Sequence, residues 1–324
     1  MSIASSARRM LLAKPRTYGG SLVLNLLGWQ VVRIFGFWLW RTLRIPKRVD
    51  ARYAQEFSEL KSRGAVFVPN FFSPSDYAYI KSEFERLKPA FEPDGTEIGI
   101  PHVDRMSIYD PRVSDKFRSL ILNAPMVREI GSAYLNRDYH FPLHVYLTNV
   151  HLGDNEVGLP QNGGTNNLHM DVPTRVYKAF FYVDDVNESN GAMRYAFGTH
   201  THHALWRLWF EYVLSVRYAL NRYRVDTEGE YRLNLPWVRI TDEEEKKYRI
   251  NPEPMNGKGN TMALADVGAF HRRGVMKNAG ERHTIEINFR EVETLRNNFF
   301  PLEQWFRWIL GRTPASFEKF KTAR

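Results

Sequence analysis

Apolar and polar residues recur with two different periods along this chain, and the period changes near residue 140. Before that point, apolar residues fall three and four positions apart, which is typical of helices with one buried face. Gly64 interrupts the pattern, and Ser73 with Pro74 supplies an N-cap and a first-turn proline for the next helix. The pattern predicts helices over residues 51–63, 74–87 and 124–135, and a strand over residues 65–72.

After residue 140, apolar residues alternate with polar ones in short segments separated by Gly and Asn. These segments are rich in β-branched and aromatic side chains, which predicts strands over residues 140–152, 176–186, 192–197, 261–267 and 283–289. Few helices separate them, so an antiparallel sandwich or barrel is favoured over an alternating βαβ array. Helical spacing returns at residues 203–223 and 241–248, which predicts a helical insertion over about 201–250.

A third pattern occupies residues 21–40, which are almost entirely apolar. The polar residues in and after this segment share one stripe of the helix that it predicts; they are Gln30, Arg33, Arg41 and Arg44. Such a helix suits the membrane interface, with its arginines toward anionic headgroups. We expect a monotopic anchor. The alternatives are a true span, a helix packed on the protein's own core and an organelle transit peptide.

The excess of positive over negative charge lies entirely in the same region. The chain has 45 Lys and Arg against 36 Asp and Glu, and residues 1–48 contain nine of the cations and no anion. The remaining 36 cations and 36 anions leave the rest formally neutral. A nucleic-acid partner is therefore disfavoured, because the neutral remainder offers no basic groove. No cleavage pattern follows the apolar run, so we expect the protein on the cytoplasmic face of a membrane, as a peripheral or monotopic protein.

The composition limits the chemistry that the chain can perform. Its 324 residues contain no cysteine, which excludes disulfides, thiolate metal sites, iron–sulfur clusters and cysteine catalysis. Any metal must be held by His and carboxylate side chains. The length and the patterns predict a basic amphipathic membrane-associated segment at residues 1–48, one domain at 49–300 and a C-terminal amphipathic helix at 301–324.

The strongest local motif for a metal site is His169-Met170-Asp171. Residues two apart on an extended strand point the same way, so the imidazole and the carboxylate can converge on one ion. The pair also fits a hydrogen-bonded loop, and short motifs of this kind arise by chance. His271 completes a two-His, one-carboxylate set that suits non-haem Fe(II). Arg282, on the next predicted strand, can clamp a carboxylate with its planar guanidinium.

These residues occur within four segments that resemble the phytanoyl-CoA hydroxylase branch of the Fe(II)/2-oxoglutarate dioxygenases. The segments are GAVFVPNFFSPSDYAYIKSEFERL at 64–87, HMD at 169–171, NGAMRYAFGTH at 190–200, and His271 with Arg282 at the family's spacing. The resemblance covers roughly residues 55–295. It implies a mainly β fold with flanking helices, namely a double-stranded β-helix or cupin-like jelly roll, here with the N-terminal amphipathic membrane-anchor helix added.

The resemblance also implies a site and a reaction. The implied catalytic and metal-binding residues are His169, Asp171 and His271, and Arg282 would pair with the distal carboxylate of 2-oxoglutarate. Further candidates for cosubstrate contacts, on predicted strands near the motif, are Tyr146, Asn149 and Lys178. The implied cofactors are Fe(II), 2-oxoglutarate and O2, and C–H hydroxylation would release succinate and CO2. A carboxylate at position 171 leaves no place for a halide ligand, which favours hydroxylation over halogenation.

Together these patterns predict a membrane-associated hydroxylase of a lipid or lipid-linked substrate. Tryptophans in the insertion and near the C-terminus either pack on the barrel or extend the membrane-facing surface; they are Trp206, Trp209, Trp305 and Trp308. A glycolipid sugar, for example in a lipopolysaccharide precursor, and a diffusible acyl-CoA are alternative substrates. An alternative of another class is a non-catalytic membrane-binding jelly-roll protein. The sequence leaves the oligomeric state open.

Overall fold

The computed structural model describes residues 26–28, 31–32, 35, 39, 47–94, 99–136, 144–161, 167–171, 176–200, 205–224, 238–240 and 242–289. All of them belong to one compact unit, Met1–Phe289. The predicted C-terminal helix at 301–324 lies outside the described residues, and so does most of the predicted anchor at 1–48. Within the described ranges, no helix combines the length and the apolar character that crossing a membrane requires.

Five of the six described helices agree with the predicted pattern, and the pattern misses one. The described helices are α1 (Ala54–Arg63), α2 (Pro74–Leu87), α3 (Asp115–Leu122), α4 (Pro125–Leu135), α5 (Leu205–Arg224) and α6 (Asp242–Lys247). The Ser73 hydroxyl caps α2 by accepting a hydrogen bond from the Asp76 backbone N–H at 3.2 Å. Gly64 ends α1 with a φ of 86°, and a Cβ there would lie 2.6 Å from Tyr195 Oη. The sequence analysis does not predict α3, which spans eight residues.

A described strand lies within or over each of the five segments that the alternation predicts after residue 140. The described strands are β1 (Ala65–Val68), β2 (Glu92–Pro93), β3 (His102–Ser107), β4 (His144–Leu152), β5 (His169–Met170), β6 (Tyr177–Tyr182), β7 (Arg194–Tyr195), β8 (Val238–Arg239), β9 (Glu253–Pro254), β10 (Thr261–Asp266), β11 (His271–Arg272) and β12 (Gly280–Phe289). The sequence pattern does not predict β3 or most of the two-residue strands. A strand of two residues is too short to establish a period.

The strands form two antiparallel sheets. The larger has the order β1-β10-β6-β12-β4-β3-β2, and the smaller has the order β8-β5-β11-β7-β9. Every pairing between these strands is antiparallel. Sequence neighbours are frequently placed in different sheets, as in a jelly roll. The predicted mainly β fold with flanking helices is therefore confirmed.

The larger sheet has two chemically different faces. On β12, Ile285, Ile287 and Phe289 pack into the main core with residues of the helices, such as Phe84. We call this side the outer face. The alternate residues of β12 point to the other side, the inner face, and they are Arg282, Thr284, Glu286 and Asn288. On β10, the inner-face residue Ala263 packs with Tyr195 and Met255, so the inner face is directed at the smaller sheet.

The predicted helical insertion covers the back of the smaller sheet. Phe210 and Leu214 of α5 pack in a second core with residues that flank the predicted metal ligands, namely Leu168, Met170 and Phe270. The opposite side of α5 is open to solvent, because Leu205 is 84% exposed and Trp209 is 67% exposed. This helix therefore connects an exposed apolar surface with the strands that carry the metal motif.

Candidate metal centre

Two neighbouring strands of the smaller sheet bring the predicted histidines together. His169 on β5 pairs directly with His271 on β11 in the antiparallel register. Their ring centroids are 4.5 Å apart, and both side chains are almost completely buried. Residues about a hundred positions apart in the sequence therefore become direct neighbours in the sheet.

Backbone carbonyl groups orient both imidazole rings in the same way. His169 Nδ1 donates to the carbonyl oxygen of Asn167 at 2.8 Å, and His271 Nδ1 donates to that of Ala269 at 3.0 Å. A proton on Nδ1 leaves the lone pair on Nε2, which is the atom that can bind a metal ion. The two rings therefore direct their Nε2 atoms toward a common space, which Asp171 also faces.

Asp171 faces the same space with one carboxylate oxygen. Its Oδ1 lies 3.8 Å from His169 Nε2 and 3.6 Å from His271 Nε2. Its backbone N–H donates to the carbonyl oxygen of Val267 at 3.1 Å, which ties the residue to the loop before β11. Its other oxygen, Oδ2, is held by Lys178 Nζ at 2.7 Å. One oxygen is thus left to a metal ion, while the other is already occupied.

The charges around Asp171 favour its ionised form. Burial opposes ionisation, but Lys178 and the two histidines outweigh it and hold the pKa of Asp171 well below its usual range. Lys178 also contacts Glu286 Oε1 at 3.3 Å, and Glu286 Oε2 lies 3.5 Å from Arg105. Burial likewise opposes ionisation of Glu286, yet these two cations lower its pKa. A chain of paired charges therefore extends from the metal ligand along the inner face.

Arg282 lies on the inner face of β12, as the predicted clamp requires. Its Nη1 donates weakly to the carbonyl oxygen of Asn190 at 3.5 Å, and it pairs with no carboxylate among the described residues. Burial and the nearby charge of Arg273 lower the pKa of Arg282 to about 10. Arg282 is half-buried, and a guanidinium that is largely removed from water without a counter-ion is an unfavourable arrangement unless a ligand supplies the anion. Gly191, whose ideal Cβ would lie 3.3 Å from Arg282 Nη1, leaves room beside the guanidinium.

The remaining predicted contacts separate into two groups. Tyr146 and Lys178 lie on the inner face, where Tyr146 is opposite Glu286 in the register between β4 and β12. Asn149 is the exception, and the prediction of a cosubstrate contact for it needs correction. It lies on the outer face, opposite His283, and its Nδ2 donates to Glu281 Oε1 at 3.3 Å. The reason is the two-residue alternation of β4, which turns odd-numbered residues away from the metal motif.

Arg207 supports the metal-bearing loops, although the sequence pattern gives no sign of this role. Its side chain is fully buried and pairs with Glu211 at 2.8 Å. It donates to the carbonyl oxygens of Thr199 and Gly268, it contacts the sulfur of Met170, and its guanidinium lies over the Phe270 ring. A helical arginine on a mostly apolar face would be the only signal in the sequence.

Asp266 is a second supporting residue that the sequence does not single out. Its Oδ1 accepts hydrogen bonds from the backbone N–H groups of Val176 and Gly268, and its Oδ2 accepts one from Tyr134 Oη. The carboxylate is fully buried and holds together the segments before β6 and β11. Lys178 is two residues after Val176, and His271 is three residues after Gly268. The hydrogen bonds that Asp266 accepts therefore fix the backbone from which both side chains project.

The three side chains fit a single divalent metal ion. Ligand atoms of His169, Asp171 and His271 all lie within 4.8 Å of one another. Two imidazoles and one carboxylate form the facial set that binds non-haem Fe(II) and leaves other coordination positions open. The oriented Nε2 atoms and the single available carboxylate oxygen meet the requirements of that set, so the residues present agree with the predicted Fe(II).

Comparison with known proteins identifies the fold. No family model matches the chain, and no curated protein sequence matches it. Among solved structures, the chain is similar to the epimerase SnoN in complex with Fe3+, α-ketoglutarate and nogalamycin RO. The TM-score is 0.51 at 14% identity, over 74% of this chain and 83% of that one. The chain thus shares the jelly-roll fold of a non-haem iron and 2-oxoglutarate-dependent enzyme.

Weaker similarities extend to other structures. AviO1 from Streptomyces viridochromogenes Tue57 has a TM-score of 0.45 at 13% identity, over 75% of this chain and 95% of that one. HygX from Streptomyces hygroscopicus, with nickel, 2-oxoglutarate and hygromycin B bound, has a TM-score of 0.42 at 13% identity, over 72% of this chain and 86% of that one.

Proposed function

We propose that this protein is an Fe(II)/2-oxoglutarate-dependent hydroxylase. One observation carries the proposal: two oriented Nε2 atoms and one carboxylate oxygen converge, while a buried guanidinium without a described carboxylate partner lies on the inner face nearby. The order of the sequence motifs supports the phytanoyl-CoA hydroxylase-like branch of this superfamily. The fold shared with SnoN at 14% identity is compatible with this proposal.

The residues of the chain would divide the work in a simple way. His169, Asp171 and His271 would hold Fe(II), and Arg282 would pair with the distal carboxylate of 2-oxoglutarate. When bound, the iron and the oxo acid supply O2-dependent oxidation of a C–H bond, with succinate and CO2 as coproducts. Lys178 keeps the second oxygen of Asp171 away from the ion. Burial of the two histidines keeps bulk water from the reacting atoms.

The proposal includes a membrane surface as partner and a lipid or lipid-linked substrate. Residues 1–48 contain nine cations and no anion, and most of the described apolar residues within them are exposed, for example Leu27 at 74% and Val32 at 58%. Tyr212 Oη of α5 donates to the carbonyl oxygen of Leu26 at 3.1 Å, next to the exposed Trp209. Apolar side chains with flanking cations favour an anionic lipid surface, and this supports the proposal that the protein acts at the cytoplasmic face of a membrane.

The first experiment tests the site without knowledge of the substrate. Anaerobic addition of Fe(II) and 2-oxoglutarate should produce the weak visible charge-transfer band of a chelated oxo acid. Arg282→Met should raise the dissociation constant for 2-oxoglutarate by about 30-fold or more, because a buried charge pair is lost. Arg282→Lys should rescue only part of this, since it lacks the planar fork. Absence of the band in the unaltered protein would overturn the proposal.

The second experiment tests the membrane partner. Leu205→Ser with Trp209→Ser should weaken sedimentation with phosphatidylglycerol vesicles by about tenfold, because two apolar side chains lose their lipid contact. Val275→Ser is the matched control, since Val275 is 57% exposed on a different part of the molecule. Equal loss of binding in both variants, or none in either, would contradict the membrane-facing role of α5.

Product analysis separates hydroxylation from two other outcomes. SnoN, which shares the fold, is an epimerase, and epimerisation changes no mass while hydroxylation adds one oxygen atom. Oxygen from labelled O2 should therefore appear in the hydroxylated substrate and not in succinate alone. A non-catalytic membrane-binding protein would form no succinate with any substrate. Its vesicle binding would be the same with and without the His169→Ala substitution.

A further inference from the structure

The inner face of the larger sheet carries a strip of polar side chains next to the metal motif. Strand alternation places these residues on one face, because their neighbours Met106, Leu147 and Ile287 belong to the main core on the other. Six residues from β3, β4, β6 and β12 form this polar strip: Arg105, Tyr146, Thr148, Lys178, Glu286 and Asn288. The contact between Lys178 and Asp171 joins the polar strip to the candidate metal ligands.

Three atoms of the polar strip have no hydrogen-bond partner within the described part of the chain. They are Arg105 Nε, Thr148 Oγ1 and Asn288 Oδ1, and each comes from a different strand. The side chains of Thr148 and Asn288 are both 4% exposed, so they are buried at the inner face. Buried polar groups are normally hydrogen-bonded, and a native structure that leaves three on one face requires an explanation. A bound ligand with hydrogen-bonding groups would satisfy all three.

The charged members of the polar strip are already neutralised by one another. Lys178 lies between Asp171 and Glu286, and Arg105 contacts both Glu286 and Asp94, the latter at 2.5 Å. An anionic ligand such as a phosphate would have to break one of these pairs. The polar strip therefore favours a neutral ligand that both donates and accepts hydrogen bonds.

The polar strip also offers an aromatic surface. The Tyr146 ring stacks on His144 at a centroid distance of 6.1 Å with an interplanar angle of 6°, and the Arg105 guanidinium lies 5.7 Å from the Tyr146 centroid. Glu286 is four residues from Arg282 on the same face of β12, about 14 Å along the strand. A ligand at Glu286 and Tyr146 would therefore leave Arg282 free for the cosubstrate.

We propose that the polar strip binds a hydroxyl-rich headgroup, such as a sugar residue, and presents it to the metal centre. This inference rests on the proposed hydroxylase function and names its substrate class. A hydroxyl group donates and accepts, so neighbouring hydroxyls can pair with the Arg105 N–H, the Thr148 hydroxyl and the Asn288 carbonyl oxygen. A hydrocarbon chain in the same place would leave all three atoms unpaired. The carbon that reacts belongs to the headgroup, and the acyl part of a lipid would stay outside.

The test uses the full-length protein loaded anaerobically with Fe(II) and 2-oxoglutarate. Its charge-transfer band is recorded while four probes are added separately: methyl β-glucoside, phosphatidylglycerol vesicles containing glucosyl diacylglycerol, the same vesicles without glycolipid, and laurate. We expect the band to change with at least one of the two sugar probes and with neither of the others. A response to the soluble glycoside indicates a free sugar substrate, and a response to the glycolipid alone indicates a lipid-linked one.

Variants with a matched control locate the response. Asn288→Leu should weaken it by about tenfold or more, and the nearly isosteric Thr148→Val should weaken it in the same direction. Asn149→Leu is the control, because Asn149 is an equally buried asparagine on the outer face of β4. The 2-oxoglutarate affinity should stay unchanged in all three variants.

Several outcomes would overturn the inference. A response to laurate or plain vesicles alone would assign the site to a hydrocarbon chain, and silence toward both sugar probes would remove the sugar site. Equal weakening by Asn149→Leu and Asn288→Leu would mean that the inner face is not specifically involved. Failure of the charge-transfer band to form at all, before any probe is added, would instead overturn the proposed hydroxylase function.

Discussion

The described part of the chain contains two groups of His and carboxylate side chains close enough to hold a metal ion. One is the candidate centre of His169, Asp171 and His271, and the other consists of Glu85, Asp184 and His283. Both contain imidazole and carboxylate side chains within the same distance limit. Proximity alone therefore does not distinguish a metal centre from an ion-pair cluster, and the difference lies in what each ligand atom already contacts.

The second group has charged partners on almost every ligand atom. His283 Nδ1 lies 2.6 Å from Asp184, and its Nε2 lies 3.1 Å from Glu281. Lys81 Nζ contacts Asp184 at 2.6 Å, and Lys88 Nζ contacts both Glu281 and Glu85. In the first group, by contrast, backbone carbonyls accept from the Nδ1 atoms, and both Nε2 atoms are directed at the same carboxylate oxygen of Asp171. A backbone carbonyl that accepts from Nδ1 orients the imidazole and leaves Nε2 as the metal-binding atom. Carboxylates on both ring nitrogens compete with a metal ion for them.

Removal of one histidine from each group gives the largest expected effect. His169→Ala should weaken Fe(II) or Co(II) binding by at least about 100-fold, because it deletes one of three ligands. The loss of a ligand should cost more than the loss of a residue that only orients one. His283→Ala should leave the affinity within about twofold. Anaerobic titration of the metal-free protein with Co(II), followed by its visible absorption, measures both. Comparable losses in the two variants would show that the second group also holds the metal.

Removal of one cation from the surroundings of each group gives the next effect. Arg207→Met should lower the free energy of unfolding by about 3–5 kcal/mol, because it breaks the buried ion pair with Glu211 and removes the hydrogen bonds to the Thr199 and Gly268 carbonyls. Lys81→Met should cost about 1 kcal/mol or less, since the Lys81 and Asp184 side chains are 49% and 32% exposed. Urea unfolding of the metal-free variants gives both values. A similar small cost for both would mean that α5 does not stabilise the metal-bearing loops.

The sequence predicts the ligands of the first group better than their surroundings. His169 and Asp171 are two residues apart, so strand alternation places them on one side, and His271 with Arg282 follows at the family's spacing. The structure brings His169, Asp171 and His271 together and places Arg282 on the inner face. Alternation also separates Arg282 from its neighbour His283, which lies on the outer face against α2.

The supporting residues could not be predicted in the same way, because their roles depend on long-range pairing. Lys178 on β6 contacts Asp171 although β5 and β6 belong to different sheets, and Arg207 contacts Gly268, which is 61 residues away in the sequence. The error for Asn149 has a related cause. The strand β4 was predicted, but the face that it turns inward was not. A shift of one residue places Thr148 instead of Asn149 on the inner face. Periodicity locates a strand more readily than it identifies the face that meets the metal motif.

The pH dependence of stability gives the smallest effect and separates the two groups by their ion pairs. Hydrogen bonding to His283, opposed by burial and assisted by Lys81, lowers the pKa of Asp184 from 3.8 to about 2. A lowered pKa in the folded state contributes stability that is present above pH 3.8 and is lost as the pH falls toward 2.

In the metal-free protein, Asp184→Asn should therefore destabilise most near pH 5 and progressively less toward pH 2. Asp115→Asn is the control, because it removes one carboxylate from a side chain that is 98% exposed. Urea unfolding at a series of pH values measures the difference, and a constant cost for Asp184→Asn over this range would mean that the second group is not stabilised by the charge of Asp184.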